Sequence, residues 1–139
     1  MANKKSADVL TVGMHASTFG GTPLACAAAL AVQDAFDQDG VLENCTAEGE
    51  FLKAELTKAA SGYPFVKGVR GMGLMLGVVL DRPAGALAEI LLKEHKMVAL
   101  TAGETVLRLV PPLTITRADS ILAVEKISAA LKKFAEEIR

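Results

Sequence analysis

Two places in the sequence carry side chains that suit the binding of an anion. The first is the stretch HASTFGGTPLACAAALAV, residues 15–32, in which Ser17, Thr18 and two glycines precede a proline and an almost wholly apolar run. Unpaired N–H groups at the start of a helix, small glycines and nearby hydroxyls together suit an anion such as phosphate. The same pattern is also typical of a tight turn with an ordinary helix cap, so the residues alone leave both interpretations open.

The second place is Arg108, in the segment VLRLV. Arg108 alternates with Val106 and Val110 on one face of a predicted strand, and leucines occupy the other face, so the guanidinium projects from a strand that is otherwise apolar. A buried arginine needs an anion. This anion is either a structural carboxylate or a substrate carboxylate held by the bidentate fork. Arg70 raises the same question, and for it we favour a structural salt bridge.

The remaining reactive residues form no self-contained catalytic set. No serine, cysteine or histidine arrangement resembles a nucleophile with its base, and no metal-ligand spacing is present. His95 ends a predicted helix among charged residues, and a solvated helix end explains a histidine there without a functional role. His15 is notable only for its position next to the hydroxyl-rich loop. Cys26 and Cys45 are expected to be buried free thiols. We therefore expect no catalytic residue and no metal ligand in this chain.

Length and composition define the class of protein. With 139 residues, 51% of them apolar, the chain has the size of one domain and can bury a core. Its 16 acidic and 15 basic residues nearly cancel, which argues against a nucleic-acid partner. The longest apolar run, residues 23–32, is too short to span a bilayer, and the opening MANKKSADVL lacks the features of a secretory signal. A cytoplasmic protein without a membrane partner is expected.

Helices are predicted at the start of the chain. Thr22 followed by Pro23 is a helix-start signal, so a helix is expected over residues 23–38, apolar on every side from Leu24 to Val32. A helix of that kind must be covered all round. After Gly40, residues 41–60 have helical spacing with one apolar face. That face is formed by Val41, Cys45, Leu52, Leu56 and Ala59.

The rest of the sequence predicts strands and two further helices. FVKGVRGMGLMLGVVLD is typical of two strands, the second over residues 74–80, and PAGALAEILLKEHK of a helix. MVAL, residues 97–100, and ETVLRLVPPLTI predict two more strands, and TRAD at Thr116 a capping box for a last helix. That helix is expected to bury Ile121, Val124, Ile127, Leu131, Phe134 and Ile138. The predicted class is α+β, a small antiparallel-type sheet with helices on one face.

Three segments that contain these residues also resemble motifs of a known family. HASTFGGTPLACAAALAV resembles the H-G-(S/T)-T-(F/Y)-G-G-N-P-L-A segment of the class III, pyridoxal-phosphate-dependent aminotransferases. VRGMGLMLGVVL resembles their R-G-x-G-L-M-x-G strand pair, and VLRLVPPLTIT their R-x-x-P-P-L strand. The similarity is greatest to the acetylornithine, succinylornithine and ornithine group. Ala16 and Thr22 replace the family's usual glycine and asparagine, and both changes are tolerable.

The resemblance implies roles for these residues. Thr18, with its neighbour Ser17, is expected to contact the phosphate of the pyridoxal phosphate held by the partner subunit of a homodimer. Arg108 is expected to bind the substrate carboxylate. The implied reaction transfers the δ-amino group of N-acetylornithine to 2-oxoglutarate, a step of arginine biosynthesis. The lysine that forms the family's Schiff base is expected upstream, so the isolated chain is expected to be inactive and to bind no cofactor.

The resemblance also implies a division of the chain. Residues 1–22 are expected to be the tail end of the large cofactor domain, 23–38 a connecting helix, and 39–139 the C-terminal small domain of a fold-type-I enzyme. Met1 would then be an internal methionine. The missing domain and a partner subunit would cover the first helix, and a fragment that lacks them is expected to self-associate. An alternative is a free-standing, non-catalytic module that binds a carboxylate through Arg108 or assembles with a partner.

Overall fold

The computed structural model describes residues 3, 7, 9, 11 and 13–138. The chain divides into two compact units, Met1–Asp39 and Gly40–Arg139. The elements are α1 (Pro23–Gln38), α2 (Val41–Ala60), β1 (Val66–Met72), β2 (Met75–Leu80), α3 (Gly85–His95), β3 (Leu100–Ala102), β4 (Val106–Leu109) and α4 (Arg117–Glu137). Their order is the predicted one.

The first unit contains α1, which begins where the sequence predicts. Thr22 is the N-cap, its hydroxyl accepts a hydrogen bond from the N–H of Ala25, and Pro23 occupies the first turn. None of the residues of α1 is buried, and its leucines are among the exposed ones, with Leu24 82% exposed. The described residues of this unit therefore do not bury the apolar half of α1.

The second unit is built on a four-stranded antiparallel sheet with the strand order β1-β2-β4-β3. The apolar strand β2 is central, as its sequence predicts, and pairs Val78 with Leu107 and Leu76 with Leu109 of β4. These four side chains lie in one hydrophobic core with residues of α2, α3 and α4. The helices therefore pack on one face of the sheet, and the predicted α+β class is confirmed.

Six of the apolar residues predicted on the inner faces of α2 and α4 are buried; Cys45, Ala59, Val124 and Ile138 are half-buried, and Ile121 is exposed. Leu52 and Leu56 of α2, and Ile127 of α4, are each at most 2% exposed. Ile121, predicted to be buried, is 45% exposed, so that prediction is wrong. The buried stripe of α4 passes through Ser120 instead, and successive helical residues are about 100° apart. A small serine thus takes the core side of the first turn.

The predicted capping box of α4 is present. The hydroxyl of Thr116 accepts a hydrogen bond from the N–H of Asp119 (3.2 Å), and the Asp119 carboxylate accepts one from the N–H of Thr116 (3.2 Å). The Thr116 hydroxyl also donates to that carboxylate, and these bonds lower the pKa of Asp119 below its usual value. The motif therefore satisfies donors that the first helical turn would otherwise leave unpaired.

The strand predicted over residues 97–100 is wrong in its position. After α3, Lys96 adopts a left-handed conformation (φ 51°), and the N–H of Met97 donates to the carbonyl of Leu91. Residues 97–99 lie outside the sheet, and β3 begins only at Leu100, where it pairs with β4. The chain uses these three residues to pass from the end of the helix to the edge of the sheet.

A glycine in the middle of α2 allows the β1–β2 turn to approach the helix. An ideal β-carbon on Gly49 would lie 2.3 Å from the carbonyl oxygen of Gly73, which itself has a positive φ of 50°. No side chain fits at that distance. Gly49 therefore lowers the helix propensity of α2 but permits the close contact between helix and hairpin.

Candidate functional site

Arg108 lies on the face of the sheet opposite to the helices. Its neighbours Leu107 and Leu109 belong to the helix-side core, and successive side chains of a strand point to opposite faces. Directly across from Arg108 are Gly77 of β2 and Leu100 of β3. The alternation predicted for this strand is thus present, with the guanidinium on the face away from the core.

Gly77 leaves room beside Arg108. An ideal β-carbon on Gly77 would lie 2.7 Å from Cγ1 of Val106, so that a larger residue would displace the valine next to the arginine. Val106 itself is nearly buried, at 9% exposure. The apolar surroundings of Arg108 on this face therefore depend on a glycine in the neighbouring strand.

The guanidinium of Arg108 has an unmet need for an acceptor. Its Nε is buried and forms no hydrogen bond with any residue that the structure describes. No carboxylate of the described residues forms an ion pair with Arg108, so the structural-carboxylate interpretation finds no support there. A buried donor without an acceptor is costly, and a carboxylate ligand would remove that cost.

A cavity of about 380 Å³ adjoins Arg108. Most of its lining is apolar, with Arg108 as the one charged residue. The lining residues are Leu52, Met97, Val98, Ala99, Leu100, Arg108, Leu109, Val110, Pro111, Pro112, Ile115 and Ala123. Pockets of this size and character hold small molecules, and an ion pair in an apolar setting is stronger than one in water. The arrangement is therefore suited to a small carboxylate.

Sequence reasoning missed two contributions to this cavity. Residues 97–99 line it, although they were predicted to be strand, and Asn44 of α2 binds the backbone of the lining residue Ile115. The side-chain Nδ2 of Asn44 donates to the carbonyls of Leu113 (2.8 Å) and Ile115 (3.1 Å). An asparagine in a first helical turn gives no sequence signal of such a role, because its partners are about seventy residues away.

Arg70 lies on the same face of the sheet as Arg108. Both arginines pair with Gly77, one from each side of β2. Arg70 is exposed, and no ion pair connects it to the described residues, so the salt bridge favoured for it is absent from that part of the chain. Water can solvate an exposed guanidinium. Arg70 therefore does not require a protein or ligand acceptor, unlike the buried Nε of Arg108.

The loop before α1 is held by its own hydroxyls. The Ser17 hydroxyl accepts a hydrogen bond from the N–H of Gly20 (3.0 Å). The Thr22 hydroxyl donates to the carbonyl of Phe19 (3.0 Å) and accepts from the N–H of Ala25 (3.4 Å). Two of the three hydroxyls that the sequence places here thus have structural partners, as in a tight turn with an ordinary cap.

Thr18 is the hydroxyl of this loop that remains available. It is exposed and forms no hydrogen bond within the described residues. Gly21 follows with a φ of +78° and open space where a β-carbon would lie. The loop therefore offers a hydroxyl and accessible backbone next to a helix start, which suits a phosphate oxygen.

The other candidate residues form no further site. Both cysteines are free; Cys45 is half-buried but Cys26 is exposed, so the prediction of two buried thiols is wrong for Cys26. Cys26 lies in the apolar first half of α1, a helix in which no residue is buried. His15 is exposed and His95 half-buried at the end of α3. No group of three or more potential metal ligands occurs in the part of the chain that the structure describes.

None of the helices in the described residues is both long and apolar enough to cross a bilayer.

Comparison with known proteins shows one family. The family model for class III aminotransferases matches residues 1–131. Acetylornithine aminotransferase 1 of Bordetella bronchiseptica is 42% identical over 134 residues, which are 96% of this chain and 34% of that protein. The chain therefore spans about a third of the length of such relatives.

Solved structures of the same family have the same fold. The acetylornithine aminotransferase of Elizabethkingia anophelis superposes with a TM-score of 0.77 at 31% identity, covering 96% of this chain and 36% of that one. The ornithine aminotransferase of Toxoplasma gondii gives a TM-score of 0.79 at 30% identity, over 94% of this chain and 32% of that one.

Proposed function

The chain belongs to the class III aminotransferase family, and on that premise we propose that it is the C-terminal part of a pyridoxal-phosphate-dependent aminotransferase. Residues 1–22 would be the last part of the large cofactor domain, and residues 23–38 would be the helix that connects the two domains. Residues 39–139 would form the small domain. The division into Met1–Asp39 and Gly40–Arg139 is compatible with this organisation. The catalytic lysine and most of the cofactor pocket would belong to the preceding part of the enzyme.

The observation that carries the proposal is the buried, unpaired Nε of Arg108 beside an apolar cavity. A substrate carboxylate would accept hydrogen bonds from this guanidinium and replace the partner that the described residues do not supply. The role of Arg108 is to bind and orient the substrate, so that the reacting carbon is held at a set distance from the cofactor. Arg108 transfers no proton.

The loop of residues 17–22 would contact the cofactor phosphate of the partner subunit in a homodimer. Its residues fit an anion, because Thr18 has a hydroxyl without a partner among the described residues and Gly21 leaves open space beside the backbone. Ser17 would act indirectly, since its hydroxyl holds the turn through Gly20. Pyridoxal phosphate, when bound, supplies the electron sink that amino-group transfer requires.

The names of the relatives favour a particular substrate pair. Relatives about 40% identical are acetylornithine and ornithine aminotransferases. We therefore propose the δ-amino group of N-acetylornithine as donor and 2-oxoglutarate as acceptor, in cytoplasmic arginine biosynthesis. Ornithine or succinylornithine as donor is the alternative within the same group. Both the donor and the acceptor carry a carboxylate that Arg108 can bind.

Substitution of Arg108 tests this function. In the full-length aminotransferase, Arg108→Ala is expected to raise KM for both substrates strongly, at a cost of about 2 to 5 kcal/mol for a broken buried charge pair. Arg70→Ala is the matched control, because it removes the same group from the same sheet face at an exposed position. Steady-state kinetics with each substrate measure the effect. Unchanged KM values in Arg108→Ala would contradict the assignment.

Substitution of Thr18 tests the loop. Thr18→Ala removes a hydroxyl from the phosphate, so the full-length dimer is expected to lose pyridoxal phosphate faster on dialysis. Thr18→Ser keeps the hydroxyl and is expected to retain the cofactor like the parent enzyme. Absorbance of the bound cofactor after dialysis gives the comparison, and equal retention in all three proteins would rule out a phosphate contact by Thr18.

A carboxylate-binding module without catalysis is the second candidate, since Arg108 and its cavity lie within the single unit Gly40–Arg139. Calorimetric titration of the chain itself with 2-oxoglutarate separates the two. Binding that is as tight in the chain alone as in the full-length enzyme would favour the module. Binding that appears only in the full-length enzyme would favour the aminotransferase.

A further inference from the structure

The segment that follows β4 forms one wall of the cavity beside Arg108. Residues 110–116, here called the β4–α4 link, join the strand to α4. Four link residues, Val110, Pro111, Pro112 and Ile115, line the cavity. The two prolines have no backbone N–H, so the link can donate few backbone hydrogen bonds of its own. Its position must therefore depend on groups outside it.

Asn44 is the group that supplies this support. Its Nδ2 uses both hydrogens, one on the carbonyl of Leu113 (2.8 Å) and the other on that of Ile115 (3.1 Å). The only link-internal backbone bond recorded among the described residues runs from the N–H of Ile115 to the carbonyl of Pro112. Asn44 thus holds two carbonyls in the second half of the link, where Ile115 also packs against the core and Thr116 is bound by Asp119.

One helical turn further along α2, an ion pair with one buried partner supports the residue after the link. Glu48, 5% exposed, accepts hydrogen bonds from Nε of Arg117 at 2.9 and 3.2 Å. The Arg117 guanidinium also lies 3.9 Å from the ring centre of Phe51. Asn44 and Glu48 are four residues apart and share one face of α2. The start of α4 is therefore held by contacts of its own, and Asn44 supplies the hydrogen bonds from α2 to the carbonyls of the link.

The link is coupled to Arg108 by the shortness of the strand. Strand β4 has four residues, Arg108 is the third, and its ladder ends at Leu109. Beyond Leu109 no further strand pairing constrains the chain within the described residues. A displacement of the link would consequently be passed to the end of the strand and to the cavity wall next to Arg108.

We infer that Asn44 is a positioning residue for Arg108: by holding the carbonyls of Leu113 and Ile115 it sets the cavity wall against which the guanidinium meets a substrate carboxylate. The inference rests on the proposed role of Arg108. Asn44 touches neither substrate nor cofactor. Its effect is on how well the carboxylate is placed, and therefore on KM more than on the chemical step.

The first test uses the chain itself. Asn44→Asp has the same shape but cannot donate, and its carboxylate would face two carbonyl oxygens. In NMR spectra of the arginine Nε–Hε groups, this variant is expected to shift or broaden the Arg108 signal and to leave the Arg70 signal in place. Lysine substitutions at the two arginines assign the signals. An unchanged Arg108 signal, with shifted backbone signals in the link, would overturn the inference.

Asn44→Ala is the second variant, in case the aspartate prevents folding, because it only removes the donor. The same Arg108 signal is followed in this chain, and the apparent affinity of the full-length enzyme for 2-oxoglutarate is expected to fall on the order of tenfold in either folded variant. Equal affinity in variant and parent would count against the positioning role.

The second test uses the full-length enzyme. Asn44→Asp is expected to raise KM for both carboxylate substrates on the order of tenfold, with kcat changed by less than about twofold. Phe134→Leu is the control, since Phe134 packs on Phe65 and does not line the cavity, so it should lower Tm without raising KM. If Arg108→Ala raises KM and Asn44→Asp does not, the inference fails while the function stands. If neither raises KM, the proposed function fails as well.

Discussion

Helices α1 and α2 are neighbours in the sequence, but they differ in how far their apolar residues are buried. Between Leu24 and Val32, α1 carries no charged side chain, yet none of its residues is buried. In α2, charged residues interrupt the apolar ones, and six of its residues are buried. An apolar stripe can be covered by one sheet face, whereas a helix that is apolar all round needs cover on every side. Patterning, more than apolar content, indicates whether a unit contains its own core.

The same contrast applies to the two candidate sites. Arg108 belongs to a unit with its own core, where its Nε is buried without a hydrogen-bond acceptor among the described residues. Thr18 belongs to the other unit and is exposed. Its hydroxyl can bind a ligand, but water can bind it equally well, so its position does not require a ligand. Arg108 is thus the stronger assignment, because the structure supplies a physical reason for its ligand.

The largest effect is expected from separating the two regions. All residues of the hydrophobic core lie in Gly40–Arg139, so a protein of residues 40–139 is expected to unfold cooperatively at a temperature close to that of the whole chain. A peptide of residues 13–39 is expected to be mostly unfolded, since isolated helices of this length are marginal in water. Circular dichroism during heating measures both. A cooperative transition in the peptide, or its absence in residues 40–139, would contradict the comparison.

The same substitution in each region gives the next largest effect. Leu107 is fully buried at the centre of the sheet, and Leu107→Ala is expected to reduce the free energy of unfolding by about 2 to 5 kcal/mol. Leu30 of α1 is 66% exposed. Leu30→Ala is expected to change the free energy of unfolding by less than about 0.5 kcal/mol. Urea denaturation of the two variants makes the measurement. Comparable losses would show that α1 belongs to the same cooperative core.

The smallest effect concerns the helix caps and depends on pH. Hydrogen bonds from Thr116 lower the pKa of Asp119 in the folded chain. The folded state therefore binds fewer protons than the unfolded state near the ordinary aspartate pKa of about 3.9, and stability from this group is present above that pH and lost below it. The difference in Tm between the parent chain and Asp119→Asn is expected to shrink as pH falls from about 6 to about 2.

Thr22→Ala is the matched change in the other region. Thr22 caps α1, which buries no residue, so the cooperative transition is expected to keep its Tm at every pH. A difference for Asp119→Asn that grows in acid, or a clear loss of Tm in Thr22→Ala, would be inconsistent with the assignment of the two caps.

Local signals in the sequence were enough to predict much of the fold. Thr22 with Pro23 marked the start of α1, and Thr116 with Asp119 marked the start of α4. The run of apolar residues in β2 predicted a central strand. These signals are local because caps and periodicity involve residues only a few positions apart.

Predictions failed where the outcome depends on how whole elements pack and not on neighbouring residues. Ile121 was expected in the core, but Ser120 takes the core side of the first turn of α4. Residues 97–100 have the composition of a strand, but the path from α3 to the sheet edge leaves the first three outside it. Cys26 was expected to be buried, although its helix has no cover in its own unit.

By itself the sequence determined the order of the elements, the faces of most helices, the alternation around Arg108 and the resemblance to one family. Each of these follows from neighbouring residues or from short motifs. Only the tertiary structure decided that the Arg108 Nε is buried without a partner among the described residues, and that Asn44 holds the wall of its cavity. Both depend on contacts between segments far apart in the chain, which arise only when the sheet and helices pack together.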